Sequence, residues 1–199
     1  MKRSQLDKYF REVGAKAPAP LRIYLTGGVL AWFYGKVRPT QDLDFALKTH
    51  ASWDEVSTLL KTAALQEGIA VEFSEDISRW GMVGYSHYEK GARLYKSFGK
   101  LKVFLLDPVA WSVGKLSRYT SDDLADLVSV FRKQKPPLSA ALRIWTQALL
   151  ESPPSSEQGL FIKKVGDFLS RHGKDIWGRK FSAEKTLQNF HLLLRRKRS

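Results

Sequence analysis

A change in hydrophobic patterning at residue 107 constrains the fold of this chain more than any other feature. Strand-like and helical patterns alternate before that point, and only helical patterns follow it. Asp107-Pro108 marks the change, because proline is favoured in the first turn of a helix and an aspartate before it can cap that helix. The order predicts an α+β core followed by a C-terminal helical lobe. The helices predicted after this point span 108 to about 119, 121 to 132 or 133, and roughly 138–151, 157–171 and 183–195.

The first part of the chain contains a predicted strand, a glycine turn, a helix and a second strand in direct succession. Residues 21–26 alternate in hydrophobicity and include β-branched and aromatic side chains, which predicts the first strand. Gly27-Gly28 ends that strand. The apolar run 29–34 predicts a buried helix, and 42–47 predicts the second strand. The other predicted elements are helices at 3–14 and 52–67 and strands at 69–73, about 92–98 and 101–106.

The positive charge of the chain is concentrated in its second part. Residues 132–199 contain 15 lysines and arginines against 5 acidic residues, whereas residues 1–131 contain 18 against 15. Pro136-Pro137 is the best boundary candidate, which predicts a core domain at 1–135 and a basic helical lobe at 136–199. A basic lobe beside a nearly neutral domain predicts contact with nucleic acid. The alternative is that lysine-rich helix faces are merely solvated.

Composition excludes several classes of protein. The chain has no cysteine, so disulfides, thiolate metal sites and a cysteine nucleophile are excluded. No stretch approaches 18 apolar residues, which predicts that no segment spans a membrane. The N-terminal residues lack the apolar core of a secretion signal, so the cytoplasm is the expected location.

The Gly27-Gly28 pair lies at a predicted join between strand and helix. Two glycines allow a tight turn and a close approach of the backbone to a ligand, and the start of a helix presents free N–H groups to an anion. By itself, a glycine pair of this kind is more often a structural turn.

Asp42 and Asp44 make the glycine pair more informative. Alternate residues of a strand point to the same face, so the two carboxylates are expected side by side while Leu43 and Phe45 enter the core. Adjacent carboxylates repel each other unless a cation joins them, and Mg²⁺ or Mn²⁺ commonly takes one or two carboxylates together with substrate phosphates. The alternative is a solvated aspartate pair in a turn.

These residues resemble the signature of the DNA polymerase β-like nucleotidyltransferase superfamily. The Arg38-Pro-Thr40-Gln segment directly before Asp42-Leu-Asp44 is especially similar to the branch of abortive-infection and toxin–antitoxin nucleotidyltransferases. A second block, Lys115-Leu-Ser-Arg118 with Asp123 and Asp126, resembles the helical motifs of the same family. Together the two blocks cover roughly residues 21–131. The resemblance implies a mixed, twisted sheet flanked by helices.

The resemblance also implies roles for individual residues. Gly27 and Gly28 would hold the phosphates of a nucleotide, and Asp42 and Asp44 would hold Mg²⁺ or Mn²⁺. The Lys115 ammonium would reach the triphosphate. Arg38 and Arg118 would touch phosphate or brace the carboxylates, and Thr40 would help to bind the nucleotide. Asp123 or Asp126 would orient groups at the site or assist the attacking hydroxyl.

The downstream block and the metal site each leave an alternative open. Lys115 and Arg118 lie late in one predicted helix, while Asp123 and Asp126 lie early in the next, and both placements favour the helix dipoles without catalysis. Family enzymes usually have a third metal-binding acid, for which this chain offers Glu72 or Asp107. Glu72 fits a strand acid aimed at the site and a solvent-facing residue of an edge strand equally well.

The implied activity is transfer of a nucleoside monophosphate from an NTP to an acceptor hydroxyl. The basic lobe suggests RNA as the acceptor, including a tRNA 3′ end, and the family branch suggests a toxin or phage-defence effector with an antitoxin partner. One alternative acceptor is a protein side chain or a small molecule. Another alternative is a nucleic-acid-binding module without turnover. Trp145 and Trp177 could stack on bases in the basic lobe, although core packing is their more ordinary role.

Overall fold

The computed structural model describes residues 1–35, 40–77 and 82–196 and has an α+β fold, as the sequence predicts. It contains a five-stranded mixed sheet and eight α-helices among these residues. The strands are β1 (Leu21–Leu25), β2 (Asp42–Thr49), β3 (Ala70–Ser74), β4 (Arg93–Phe98) and β5 (Leu101–Leu105). The helices are α1 (Arg3–Lys16), α2 (Gly27–Phe33), α3 (Trp53–Glu67), α4 (Pro108–Arg118), α5 (Ser121–Gln134), α6 (Leu138–Glu151), α7 (Ser156–Trp177) and α8 (Ala183–Arg196).

The sheet has the strand order β3-β2-β1-β5-β4. β1 pairs in antiparallel fashion with β2 and in parallel fashion with β5, while β3 is parallel to β2 and β4 is antiparallel to β5. Helices α1 and α3 pack against each other, α1 also packs against β4 and β5, and α3 packs against β3. Burial of the apolar residues of these elements stabilises this arrangement.

The chain divides into two compact units, and the division differs from the predicted boundary after residue 135. The first unit takes in Met1–Phe33, Val37–Asp76 and Glu89–Leu106, which include the whole sheet. The second unit contains α4 to α8. Helices α4 and α5, predicted to belong to the core domain, pack against α7, and α4 also packs against α6. The helices of the second unit therefore start with α4, because α4 and α5 pack against the C-terminal helices, and the unit also takes in Tyr34–Lys36 and Ile77–Tyr88.

The core of the second unit is strongly aromatic. Trp111, Trp145, Phe131 and Phe168 are buried, and the Trp145 indole donates a hydrogen bond of 2.9 Å to the Ser112 hydroxyl. Trp177 packs edge-on against Phe131 and donates to the backbone carbonyl of Pro136. Both tryptophans of the predicted basic lobe thus pack within the protein.

None of the helices in the described part of the chain has the length and apolar character needed to span a membrane.

Helix α2 differs from its prediction in two ways. It begins at Gly27, so both glycines belong to its first turn, and it has only seven residues. Its last two residues, Trp32 and Phe33, are half-exposed and not buried as the apolar run predicted. Local hydrophobicity indicates that such a segment packs against something, but it does not indicate on which sides.

Candidate functional site

The glycine turn and the aspartate strand are in direct contact. Gly27 has a positive φ of 59°, which favours glycine, and a Cβ placed on it would lie 2.7 Å from the Asp44 Cβ and still closer to the carboxylate. The Thr26 N–H donates to the Asp44 backbone carbonyl at 2.9 Å. The backbone of the turn therefore approaches the Asp44 carboxylate more closely than any residue with a side chain would allow.

The two aspartates lie on one face of β2, as predicted from strand alternation. Leu43 and Phe45 are fully buried on the opposite face, whereas Asp44 is half-buried and Asp42 is exposed. The pair thus combines a carboxylate held against the glycine turn with one that is open to solvent.

Glu72 lies beside this pair. It is the register partner of Asp44 on the parallel strand β3, so both side chains leave the same face of the sheet, while Phe45 and Phe73 stack on the other face with ring centroids 5.4 Å apart. Glu72 is exposed and β3 is an edge strand. Glu72 therefore lies beside the aspartates of the candidate site and is also a solvent-facing residue of an edge strand. The other candidate acid, Asp107, caps α4 by accepting from the Val109 and Ala110 N–H groups.

The donor set can be compared with the needs of a divalent ion. Among the described residues, no group of three or more histidines or acids is arranged to hold a metal by itself. Mg²⁺ in proteins commonly binds one or two carboxylates and completes its shell with water and substrate phosphates. Asp42 and Asp44 therefore fit a metal that arrives with a nucleotide, and Glu72 stays a predicted third ligand.

The segment before β2 is described only in part. Arg38 lies outside the described residues. The Thr40 hydroxyl donates to the Asp42 backbone carbonyl at 3.2 Å, so it helps to fix the entry into β2. A phosphate contact by Thr40 stays a prediction.

The downstream block forms a buried ionic network within the second unit. The Lys115 ammonium lies 2.9 Å from an Asp123 carboxylate oxygen and 2.8 Å from an Asp126 oxygen. The Arg118 guanidinium binds both oxygens of Asp123, at 2.9 and 3.2 Å. The Thr120 hydroxyl donates to the same Asp123 carboxylate at 3.0 Å. Lys115, Asp123 and Asp126 are at most 5% exposed. The network joins the end of α4 to the start of α5.

Both aspartates of α5 bind the same lysine, as the i, i+3 spacing allows. Burial alone would raise the pKa of Asp123, but hydrogen bonds from Arg118 and Lys115 lower it to about 2. The Asp123 carboxylate is therefore ionised at neutral pH. A contact of Lys115 with a triphosphate stays a prediction, since the Lys115 ammonium is buried and paired with two carboxylates.

Gly27→Ala is expected to destabilise the protein by about 2–5 kcal/mol, because left-handed strain of about 1–2 kcal/mol adds to overpacking of about 1–3 kcal/mol against Asp44. Gly68→Ala is the matched control. Gly68 has nearly the same φ, 61°, but a Cβ there meets nothing within 4 Å. Urea unfolding of the two variants measures the difference, and equal losses of stability would contradict the contact with Asp44.

The first unit thus presents a glycine turn against a pair of carboxylates that are accessible from solvent. This arrangement can bring carboxylate oxygens to a metal ion that also binds a phosphate ester. The aromatic residues at the end of α2 were missed as candidates, although the Trp32-Phe33-Tyr34 run was the available signal.

Comparisons of the chain with models of protein families, with curated proteins and with solved structures gave no match.

Proposed function

We propose that this protein is a nucleotidyltransferase of the DNA polymerase β-like superfamily. In the proposed reaction an acceptor hydroxyl attacks the α-phosphorus of an NTP, the bond to the β-phosphate oxygen breaks, and pyrophosphate leaves. The observation that carries the proposal is the contact between the Gly27 turn and Asp44, with Asp42 on the same face of the strand. A turn without side chains beside paired carboxylates suits a phosphate chain and its cation.

Three residues would bind the nucleotide and its metal ion: Gly27, Asp42 and Asp44. Asp42 and Asp44 would hold Mg²⁺ or Mn²⁺ together with the phosphates. The metal would neutralise phosphate charge and so favour attack on phosphorus. The absence of a side chain at Gly27 lets the turn lie directly against the Asp44 carboxylate, and the Thr26 N–H fixes the strand that carries that aspartate. The seven-residue α2 adds only a short dipole, so a metal held by Asp42 and Asp44 would supply most of the electrostatic stabilisation.

The acceptor in this proposal is RNA. Support comes from the net charge of +13, of which +10 lies in residues 132–199. Such an excess favours a polyanion over a neutral small molecule. A role as a toxin or phage-defence effector with an antitoxin partner, acting in the cytoplasm, belongs to the same proposal and rests on the resemblance of the Arg38–Asp44 segment and the Lys115 block to that family branch.

A second candidate function is nucleic-acid binding without turnover. The observation that favours it is the Lys115 network, because the ammonium predicted to meet the triphosphate is neutralised by Asp123 and Asp126. This candidate predicts salt-dependent RNA affinity and no Mg²⁺-dependent binding of NTP.

Incubation with each α-³²P-labelled NTP, total RNA and total protein tests the proposed function. Label is expected in the RNA fraction with Mg²⁺, and chelation with EDTA is expected to stop the transfer. Label in the protein fraction, or in a small molecule, would change the acceptor and keep the reaction. No transfer with any NTP, together with intact RNA binding, would favour the second candidate.

A further inference from the structure

A cluster of aromatic rings and one guanidinium lies on the surface of the first unit. It consists of Arg3 at the start of α1, Trp32 and Phe33 at the end of α2, and Tyr95 in β4; we call it the aromatic cluster. Phe33 and Tyr95 meet edge to face at 4.8 Å between ring centroids, and Trp32 meets Phe33 in the same manner at 5.2 Å. The rings come from α2 and β4 and the guanidinium from α1, so the fold brings three separate elements together here.

Arg3 is held in place by this cluster. Its guanidinium carbon lies 5.1 Å from the Phe33 ring centroid and 5.3 Å from that of Tyr95, and its Nε donates to the Tyr95 hydroxyl at 3.3 Å. The Tyr95 hydroxyl in turn donates to Asp7 at 2.8 Å. The guanidinium therefore keeps a defined position although Arg3 is exposed.

The cluster leaves a pocket at the surface. A concavity of about 210 Å³ is lined by Arg3, Trp32 and Phe33. A cavity of about 150 Å³ accommodates benzene, so this one has room for a planar ring of that kind. Trp32 and Phe33 are half-exposed, whereas Trp111 and Trp145 of the second unit are buried in its core. Accessible rings beside a fixed cation suit a planar, π-rich ligand.

The charge around the pocket favours an anionic ligand. Arg3, Lys2 and Lys96 are exposed, and Lys96 forms an ion pair of 2.9 Å with Asp7. Lys96 therefore offsets the charge of Asp7, which leaves the Arg3 guanidinium at the pocket and its exposed sequence neighbour Lys2 as cations, on a protein of net charge +13. Aromatic rings that stack on bases, beside cations that meet the backbone, are the combination by which proteins bind single-stranded nucleic acid.

We propose that the aromatic cluster binds a base of a single-stranded RNA. This inference rests on the proposed function where it identifies that RNA as the acceptor. The pocket lies at the far end of α2 from Gly27, about 9 Å along the helix axis. An RNA strand is several nucleotides long, so a base upstream of its reacting end can bind in the pocket.

Binding of a fluorescein-labelled single-stranded oligoribonucleotide, followed by anisotropy without NTP or Mg²⁺, tests this proposal. Trp32→Ala is expected to weaken binding roughly 5- to 100-fold, the loss typical of one stacked base. The slope of log affinity against log salt is expected to stay unchanged, because no phosphate contact is removed. Trp32→Phe keeps an aromatic face and is expected to retain most of the affinity.

Trp53→Ala is the matched control, since Trp53 is a half-exposed tryptophan of the same unit outside the cluster. Unchanged RNA binding in Trp32→Ala would overturn the proposal, and so would an equal loss in both tryptophan variants. A Trp32→Ala variant that loses NTP affinity but keeps RNA affinity would assign the pocket to the donor base instead. If RNA binding depends on Trp32 while no label is transferred, the RNA site stands and its assignment to an acceptor falls with the proposed function.

Discussion

Asp44→Asn is expected to lower the transfer of label from α-³²P-labelled NTP by roughly 10³-fold or more, because a metal contributes several kcal/mol of charge stabilisation that a neutral amide no longer supports. The substitution keeps the shape of the side chain, so the close approach of Gly27 is preserved. Circular dichroism and urea unfolding should therefore show a folded protein of near-normal stability.

Asp54→Asn makes the same chemical change elsewhere in the first unit. Asp54 is exposed in the first turn of α3, and its removal is expected to leave transfer unchanged. Undiminished transfer by Asp44→Asn would refute the assigned site.

Glu72→Gln tests whether Glu72 is the third metal-binding acid. A metal ligand would show a large loss of transfer, whereas a solvent-facing residue of an edge strand would show almost none.

Local patterns predicted most of the elements and the arrangement of the aspartates along β2. Strand alternation placed Asp42 and Asp44 on one face and Leu43 and Phe45 on the other, because that geometry depends only on neighbouring residues. Gly68 ends α3 with a positive φ, as a glycine after a helical run indicates.

Features that depend on residues far apart in sequence were not predictable in this way. Nothing local to β3 indicates that Glu72 pairs with Asp44, and nothing in the run that contains Trp32 indicates that Arg3 and Tyr95 meet it. The boundary shows the same limit. Pro136-Pro137 is a local break, but the second compact unit already includes α4 and α5, because α4 packs against α6 and α7 and α5 packs against α7.

The buried network of the second unit gives the other large effect. Lys115→Met is expected to cost about 3–5 kcal/mol of unfolding free energy, because it removes the ammonium that two buried carboxylates share. The effect is large since Asp126 is 2% exposed and Lys115 is 5% exposed. Lys16→Met is the control. The Lys16 side chain is 58% exposed in its pair with Glu12, and such surface pairs contribute about 1 kcal/mol or less. Urea unfolding measures both variants.

A second substitution separates stability from function at Lys115. Asp126→Leu in the Lys115→Met background removes one of the two carboxylates that lost the Lys115 ammonium, while Asp123 keeps its two hydrogen bonds from Arg118. Much of the lost stability is expected to return, because apolar replacement of buried ion pairs is often neutral or stabilising. If the network only joins α4 to α5, label transfer returns along with stability. If the Lys115 ammonium meets the triphosphate, the protein regains its fold but remains inactive. A Lys115→Met variant as stable as the unsubstituted protein would contradict the buried network itself.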